Sequence, residues 1–298
     1  MVEFISDFKK LIKLRLTLTV VFSASICFLM GSRVQGGDIH WINWVLLTLG
    51  GFLVTSAANG FNEIIEKDLD KLMKRTMDRP IPAGKMTTGQ ALVLSLFMGI
   101  AGTLILVKLN FPTGVLSVFS LFLYAFVYTP LKRKSPIAVF VGAIPGAFPP
   151  LIGYFAAFDE PRISWIPVIL FLIQFVWQFP HFWSIAWVLD EDYKRAGFRL
   201  LPTTKQDKVS ALITFVSAII LIPVSLMPTY LLMPSGIDNP FGGIVYMGIA
   251  IIAGLYFAWQ AFQLYVKLDI ASAKKLMYTS FFYLPLIQIT LLFDFIVK

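Results

Sequence analysis

Charge is scarce in this chain. Lys, Arg, Asp and Glu make up 14% of its 298 residues, against roughly 25% in ordinary soluble domains. That shortage excludes a pair of soluble domains, which the length alone would permit. Only one cysteine is present, Cys27. No internal disulfide can form, and its place within an apolar run points to packing. Histidine occurs twice, at His40 and His181. No cleavage site follows the first apolar run, although Lys9 to Arg15 before it give it the look of a signal peptide. It reads instead as the first of several spans. Nor is an inverted repeat visible, which counts against a transporter built from mirrored halves.

Apolar residues fill the space that charge leaves: 57% of the chain is hydrophobic and 15% aromatic. A membrane-spanning helix needs about 20 mostly apolar residues. Nine such runs begin near Arg15, Ile42, Thr88, Pro112, Pro136, Trp165, Val209, Gly242 and Met277. Pro145, Pro149, Pro180 and Pro223 lie inside them, which membrane bundles tolerate because neighbouring helices satisfy the freed backbone groups. The expectation is one all-α domain over residues 1–298, a polytopic membrane bundle of nine transmembrane helices.

The segments between the runs alternate in charge. With the N-terminus placed in the cytoplasm, 21 of the 25 Lys and Arg fall on the inner side. They are Lys9, Lys10, Lys13 and Arg15; six from Lys67 to Lys85; Lys132, Arg133 and Lys134; five from Lys194 to Lys208; and Lys267, Lys274 and Lys275. Only Arg33, Lys108, Arg162 and Lys298 fall outside. This is the positive-inside pattern. It predicts an integral protein of a bacterial cytoplasmic membrane with an extracytoplasmic C-terminus. The net charge of +8 then reports topology rather than nucleic-acid binding, and attraction to anionic membrane lipid is compatible with it.

The densest charge lies in NEIIEKDLDKLMKRTMDRP, Asn62 to Pro80, with five carboxylates and five Lys or Arg. Asn62, Glu66 and Asp70 are spaced by four, so on a helix they share one face, with Asn59 able to join it and Glu63 at its edge. Two carboxylates and an amide suit Mg²⁺, a hard ion that takes oxygen ligands and often bridges to substrate phosphates. Lys74, Arg75 and Arg79 follow and could grip phosphate oxygens, Arg through its planar fork. The competing reading is a solvated loop with helical ion pairs Glu63–Lys67 and Asp70–Lys74. Two further clusters fall on the same side. YTPLKRK holds Tyr128 and Lys132 in a YxxxK spacing, with Tyr124 one turn earlier. LDEDYKRAGFRLLP holds Asp190, Glu191 and Asp192 ahead of Lys194 and Arg195. His181 sits inside the sixth run, where an ionisable group is costly and marks a candidate site; neutral imidazole is a common ligand of haem iron, and a hydrogen-bonded structural His is the alternative. His40 reads as an interfacial residue.

The pattern NxxxExxxD…RTxxRP, with YxxxK and nine runs, resembles the UbiA-type intramembrane prenyltransferase family over essentially the whole chain. GAIPGAFPPLIGY (142–154), QFPHFW (178–183) and EDYKRAGFRLLP (191–202) are similar to the branch of that family that farnesylates haem. The resemblance implies a central cavity open to the cytoplasmic side that takes Mg²⁺-bound farnesyl diphosphate, with haem b as second substrate rather than cofactor. It places Asn62, Glu66 and Asp70 at the first metal motif, with Glu66 where an Asp is commoner. Many relatives carry DxxxD near Leu189 and Tyr193; those residues cannot both be carboxylate ligands here. Asp190 or Asp192 could substitute as metal ligands, or Lys194 and Arg195 could bind diphosphate directly, as could Lys132. Tyr128 and Lys132 join the catalytic group, and His181 becomes the haem contact. A downstream haem-modifying enzyme or an oxidase assembly factor could be a protein partner. Transfer to a quinone precursor or another tetrapyrrole remains open at this point, with a transporter more remote.

Overall fold

The computed structural model describes residues 2–34, 38–160, 164–230 and 242–297. Among the described residues there are only helices and connecting turns. They are α1 (Val2–Leu11), α2 (Leu14–Val34), α3 (Trp41–Asp70), α4 (Thr88–Leu109), α5 (Phe111–Phe122), the three-residue α6 (Thr129–Leu131), α7 (Ala138–Gly146), α8 (Phe148–Ala156), α9 (Trp165–Val188), the short α10 (Asp190–Arg195), α11 (Lys208–Tyr230), α12 (Ile244–Lys267) and α13 (Ile270–Val297). Nine spans among the described residues are long and apolar enough to cross a membrane; α5 with α6, and α7 with α8, each make one of them. Arg162 and Lys298, two of the cations assigned to the outer side, lie outside the described residues.

The helices form a bundle in which α2 packs against α8, α3 and α13, and the packing continues from α13 to α12, from α12 to α11 and from α11 to α9. The α7–α8 span is the most buried of the nine. It is also broken, and the sequence explains the break. Proline has no N–H to donate, so Pro149 and Pro150 leave the carbonyls of Pro145 and Gly146 without their helical partners. The Ser120 hydroxyl donates to Pro145 O at 3.3 Å and the Gln174 amide to Gly146 O at 2.7 Å. Gln178 donates to Ala143 O at 2.9 Å. In lipid an unsatisfied carbonyl costs several kcal/mol, so the prolines of one span and Gln174 of another belong to one device. Gln174 also accepts from the Ser23 hydroxyl at 2.8 Å, and Gln288 donates to Ser23 at 2.8 Å, tying α2, α9 and α13 together. Close approach helps: a Cβ on Gly153 would lie 2.0 Å from Ala24 O.

The last span differs from expectation. It starts at Ile270 rather than near Met277, so Lys274 and Lys275 lie within its first turns. The loop expected there is a tight turn instead. Leu268 takes a positive φ of 53°, and the Asp269 carboxylate accepts from the Ser272 amide at 2.7 Å, capping the new helix. A capping carboxylate is worth about 1 kcal/mol and outweighs the sequence signal of a charged linker.

Candidate active site

Three connections meet at one end of the bundle: residues 71–87 after α3, 132–137 after α6, and 189–207 around α10. They are joined to one another. Arg199 N–H donates to Lys132 O at 2.8 Å. The Lys74 and Arg75 amides donate to the two oxygens of Asp192 at 3.3 and 3.2 Å.

Beneath them lies a polar cavity of about 150 Å³. Its charged lining is Lys13, Arg75, Arg79 and Lys132 with Glu66 and Asp70, four cations to two carboxylates. Asn62, Tyr124, Tyr128 and Tyr193 complete its polar wall. The helical face of Asn62, Glu66 and Asp70 does point one way, into this cavity, and all three residues are buried. Lys132 donates to Glu66 Oε1 at 2.7 Å, and Arg79 to Asp70 Oδ2 at 2.6 Å. The Asn62 amide donates to Glu66 Oε2 at 2.9 Å and to the Thr129 hydroxyl at 3.0 Å, while its oxygen accepts from Lys13 at 2.5 Å. The helical ion pairs Glu63–Lys67 and Asp70–Lys74 are therefore not formed. Glu63 Oε1 instead accepts the Ile81 amide at 3.1 Å, which fastens the 71–87 loop to α3.

Local irregularities aim several of these side chains. Before Pro130 the fourth span relaxes into a π-helical stretch, Leu123–Tyr128, and Thr129 N–H bonds back to Tyr124 O. Such bulges recur at functional sites. Tyr124 and Tyr128 rings lie 5.5 Å apart, and Lys132 Nζ is 4.8 Å from the Tyr128 ring. On the other side of Tyr128 sits Gly142, where a Cβ would press on the ring at 2.6 Å. The GAIPG segment is thus small where Tyr128 needs room.

In the sequence Lys13 is only a topology charge. It occupies the corner between α1 and α2 with φ of 48°, a left-handed conformation that turns the chain. Burial first, then Arg79 and Lys132, hold its ammonium well below the usual lysine range, against the opposing pull of Glu66 and Asp70. No spacing rule could have placed it here, because its partner Asn62 is 49 residues away.

Other expected site residues stand elsewhere. Lys74, Lys194 and Arg195 are exposed and do not line the cavity. Asp190 pairs with Lys194 at 2.5 Å one helical turn on, and Asp192 is taken by backbone amides and by Arg195 at 3.4 Å. Neither acid lines the cavity. Among the described residues no three His, Cys, Asp or Glu side chains converge as a metal cluster. The residues that remain still fit Mg²⁺. They offer oxygen donors from two carboxylates and an amide, and Asp70 Oδ1 is buried without a hydrogen-bond partner, a state that costs about 1–3 kcal/mol or more for a charged group.

His181 is buried in α9, away from this cavity. Its ring stacks on Trp177 at 4.3 Å and meets Phe281 edge-on at 5.2 Å. Nδ1 lies 2.7 Å from Ser280 Oγ. That hydroxyl donates to Met277 O at 2.6 Å, so toward His181 it accepts, which assigns the ring proton to Nδ1 and leaves Nε2 with its lone pair. A larger groove of about 440 Å³, lined by Phe140, Phe179, Trp183 and Ile220, is apolar and carries no cation.

Fold and site together define an integral membrane protein that concentrates positive charge around two buried acids at one end of an apolar bundle. The model of the UbiA prenyltransferase family matches residues 20–285. The chain belongs to that family. It is 47% identical over 287 residues to the protoheme IX farnesyltransferase of Cytophaga hutchinsonii, covering 96% of each chain, and 40% identical over 290 residues to that of Christiangramia forsetii, covering 97% of this chain and 93% of the relative. Its fold is similar to the solved structure of a digeranylgeranylglyceryl phosphate synthase, with a TM-score of 0.80 at 19% identity over 99% of this chain and 100% of that one. A UbiA homolog from Archaeoglobus fulgidus bound to GPP and Mg²⁺ matches with a TM-score of 0.63 at 13% identity, over 98% and 100%.

Proposed function

We propose that this prenyltransferase moves the farnesyl group of farnesyl diphosphate onto a vinyl group of haem b and adds water, giving heme O. One observation carries the reading: four cations gathered around the Glu66–Asp70 face in one polar cavity, in a chain 47% identical to a protoheme IX farnesyltransferase.

Charge on the departing diphosphate is the main electrostatic demand of the reaction. Arg75, Arg79, Lys132 and Lys13 meet it with donors fixed before the bond breaks, which is where electrostatic catalysis is strongest. Asn62, Glu66 and Asp70 would hold Mg²⁺, which supplies Lewis-acid neutralisation of the diphosphate when bound. The allylic C–O bond breaks and the electron pair leaves with diphosphate. The vinyl π bond attacks the farnesyl carbon; water captures the new cation beside the porphyrin and releases a proton. Tyr124 and Tyr128 wall the cavity and turn aromatic faces that can shield positive charge. Excluding bulk water keeps the farnesyl cation from hydrolysis. The cavity end faces the cytoplasm in this reading, as the distribution of Lys and Arg supports. Incubating the purified protein with labelled farnesyl diphosphate and haem b tests the function. A porphyrin with the mass of hydroxyethylfarnesyl haem is expected, and transfer to an aromatic acid with none to haem would defeat the assignment.

His181 serves the acceptor. With Nδ1 donating to Ser280, Nε2 is the nitrogen able to ligand haem iron, and ligating His residues usually have their other ring nitrogen anchored in this way. His181→Ala is expected to abolish the haem-induced Soret shift and to leave farnesyl diphosphate affinity within twofold of wild type (about 0.4 kcal/mol). A Soret spectrum identical to that of wild type would remove the role.

A further inference from the structure

We propose that Asp192 is a positioning residue for Arg75, spent on backbone amides rather than on a metal. This rests on the reading of the cavity as the diphosphate site. Asp192 lies on α10, at the connection after the sixth span. Both of its oxygens reach across 117 and 118 residues of sequence to consecutive amides of the 71–87 loop, Oδ1 to Lys74 N and Oδ2 to Arg75 N. Arg195 adds a contact to Oδ1 at 3.4 Å. A carboxylate that accepts from two neighbouring N–H groups fixes the direction of that peptide, and so the direction in which Arg75 leaves the backbone. The next residue on α10, Tyr193, supports the Arg75 guanidinium through its ring at 5.7 Å. Arg75 lines the cavity and Asp192 does not.

The far part of the loop is held separately. Arg79 is paired with Asp70 at 2.6 Å, and Ile81 N–H donates to Glu63 at 3.1 Å. Asp192 therefore controls Arg75 and leaves Arg79 where it is. The two roles open to Asp192 make opposite demands. A metal ligand needs a free lone pair directed into the cavity, whereas a loop anchor needs its oxygens directed at amides outside it.

The test uses the full chain in detergent or nanodiscs and a non-hydrolysable probe, farnesyl thiodiphosphate. Asp192→Ala should weaken probe binding and raise KM for farnesyl diphosphate about tenfold, the scale of losing charge-assisted hydrogen bonds. KM for haem and the Mg²⁺ concentration for half-maximal rate should stay unchanged. Asp192→Asn, which keeps one acceptor oxygen, should recover part of the loss and serves if the Ala variant does not fold. Combined with Arg75→Ala the effects should be non-additive, and combined with Arg79→Ala they should add, as expected of coupled and uncoupled sites. A shift in the Mg²⁺ requirement would overturn the proposal in favour of a metal ligand. Wild-type affinity in both Asp192 variants, or additivity with Arg75→Ala, would overturn it outright. Failure of wild type to bind the probe would instead strike the diphosphate reading itself.

Discussion

Glu66→Gln is expected to lower kcat by on the order of 10³ or more, about 4 kcal/mol of transition-state stabilisation. The substitution keeps the shape of the side chain and removes its charge. Two consequences follow from the geometry. The face proposed to hold Mg²⁺ loses one of its two carboxylates, and Lys132, 2.7 Å away, loses its counter-ion. Glu66 and Lys132 are both buried. Breaking a buried pair from one side costs about 3–5 kcal/mol, so Glu66→Gln should also lower the unfolding midpoint. Adding Lys132→Met removes the orphaned cation. The double variant should regain much of the lost stability and none of the activity, because both groups are proposed to serve the diphosphate. Thermal unfolding in detergent and single-turnover rates measure the two quantities separately. A Glu66→Gln enzyme with more than a tenth of wild-type kcat at saturating Mg²⁺ would end the assignment of Glu66.

Arg79→Gln should cost about 10²–10³ in kcat/KM for farnesyl diphosphate, the scale of removing one preorganised donor from a developing oxyanion. Arg79 is held at 2.6 Å by Asp70, so its guanidinium is aimed before substrate arrives. Arg79→Lys separates charge from shape. It retains the positive charge and loses the planar fork, and Arg and Lys are not interchangeable at such sites. The Lys variant should fall between wild type and Gln, with the loss chiefly in KM. Equal rates for all three proteins at subsaturating farnesyl diphosphate would show that Arg79 does not meet the substrate.

The common face of Asn62, Glu66 and Asp70 was legible because a four-residue spacing on a helix depends only on local backbone geometry. The spans were legible for a related reason: an apolar run of about 20 residues has few uses other than crossing a bilayer. The last span shows the limit of that logic. Lys274 and Lys275 look like linker, yet a cap at Asp269 starts the helix ahead of them. The acids of the third cluster were not legible in the sequence for a different reason. Asp190 and Asp192 have the right chemistry for a metal, but their hydrogen-bond partners decide their use. For Asp190 the partner is a lysine a turn away, and for Asp192 the partners are Arg195 and two amides of the 71–87 loop. Glu63 likewise turned from an edge residue able to pair with Lys67 into the anchor of Ile81.

Sequence alone determined the membrane class, the nine spans, the family and the acid row on α3. Each is encoded in composition, in short-range period or in contiguous motifs. Tertiary structure decided who faces that row. Lys13 arrives through a left-handed corner, Lys132 and Thr129 through the π-helical end of the fourth span, Arg75 through a loop stretch gripped by Asp192, and Arg79 through the stretch of that loop gripped by Glu63. The physical reason is range. Backbone periodicity acts over a few residues, whereas the direction of a buried charge is set by partners tens of residues away that packing alone brings within about 3 Å.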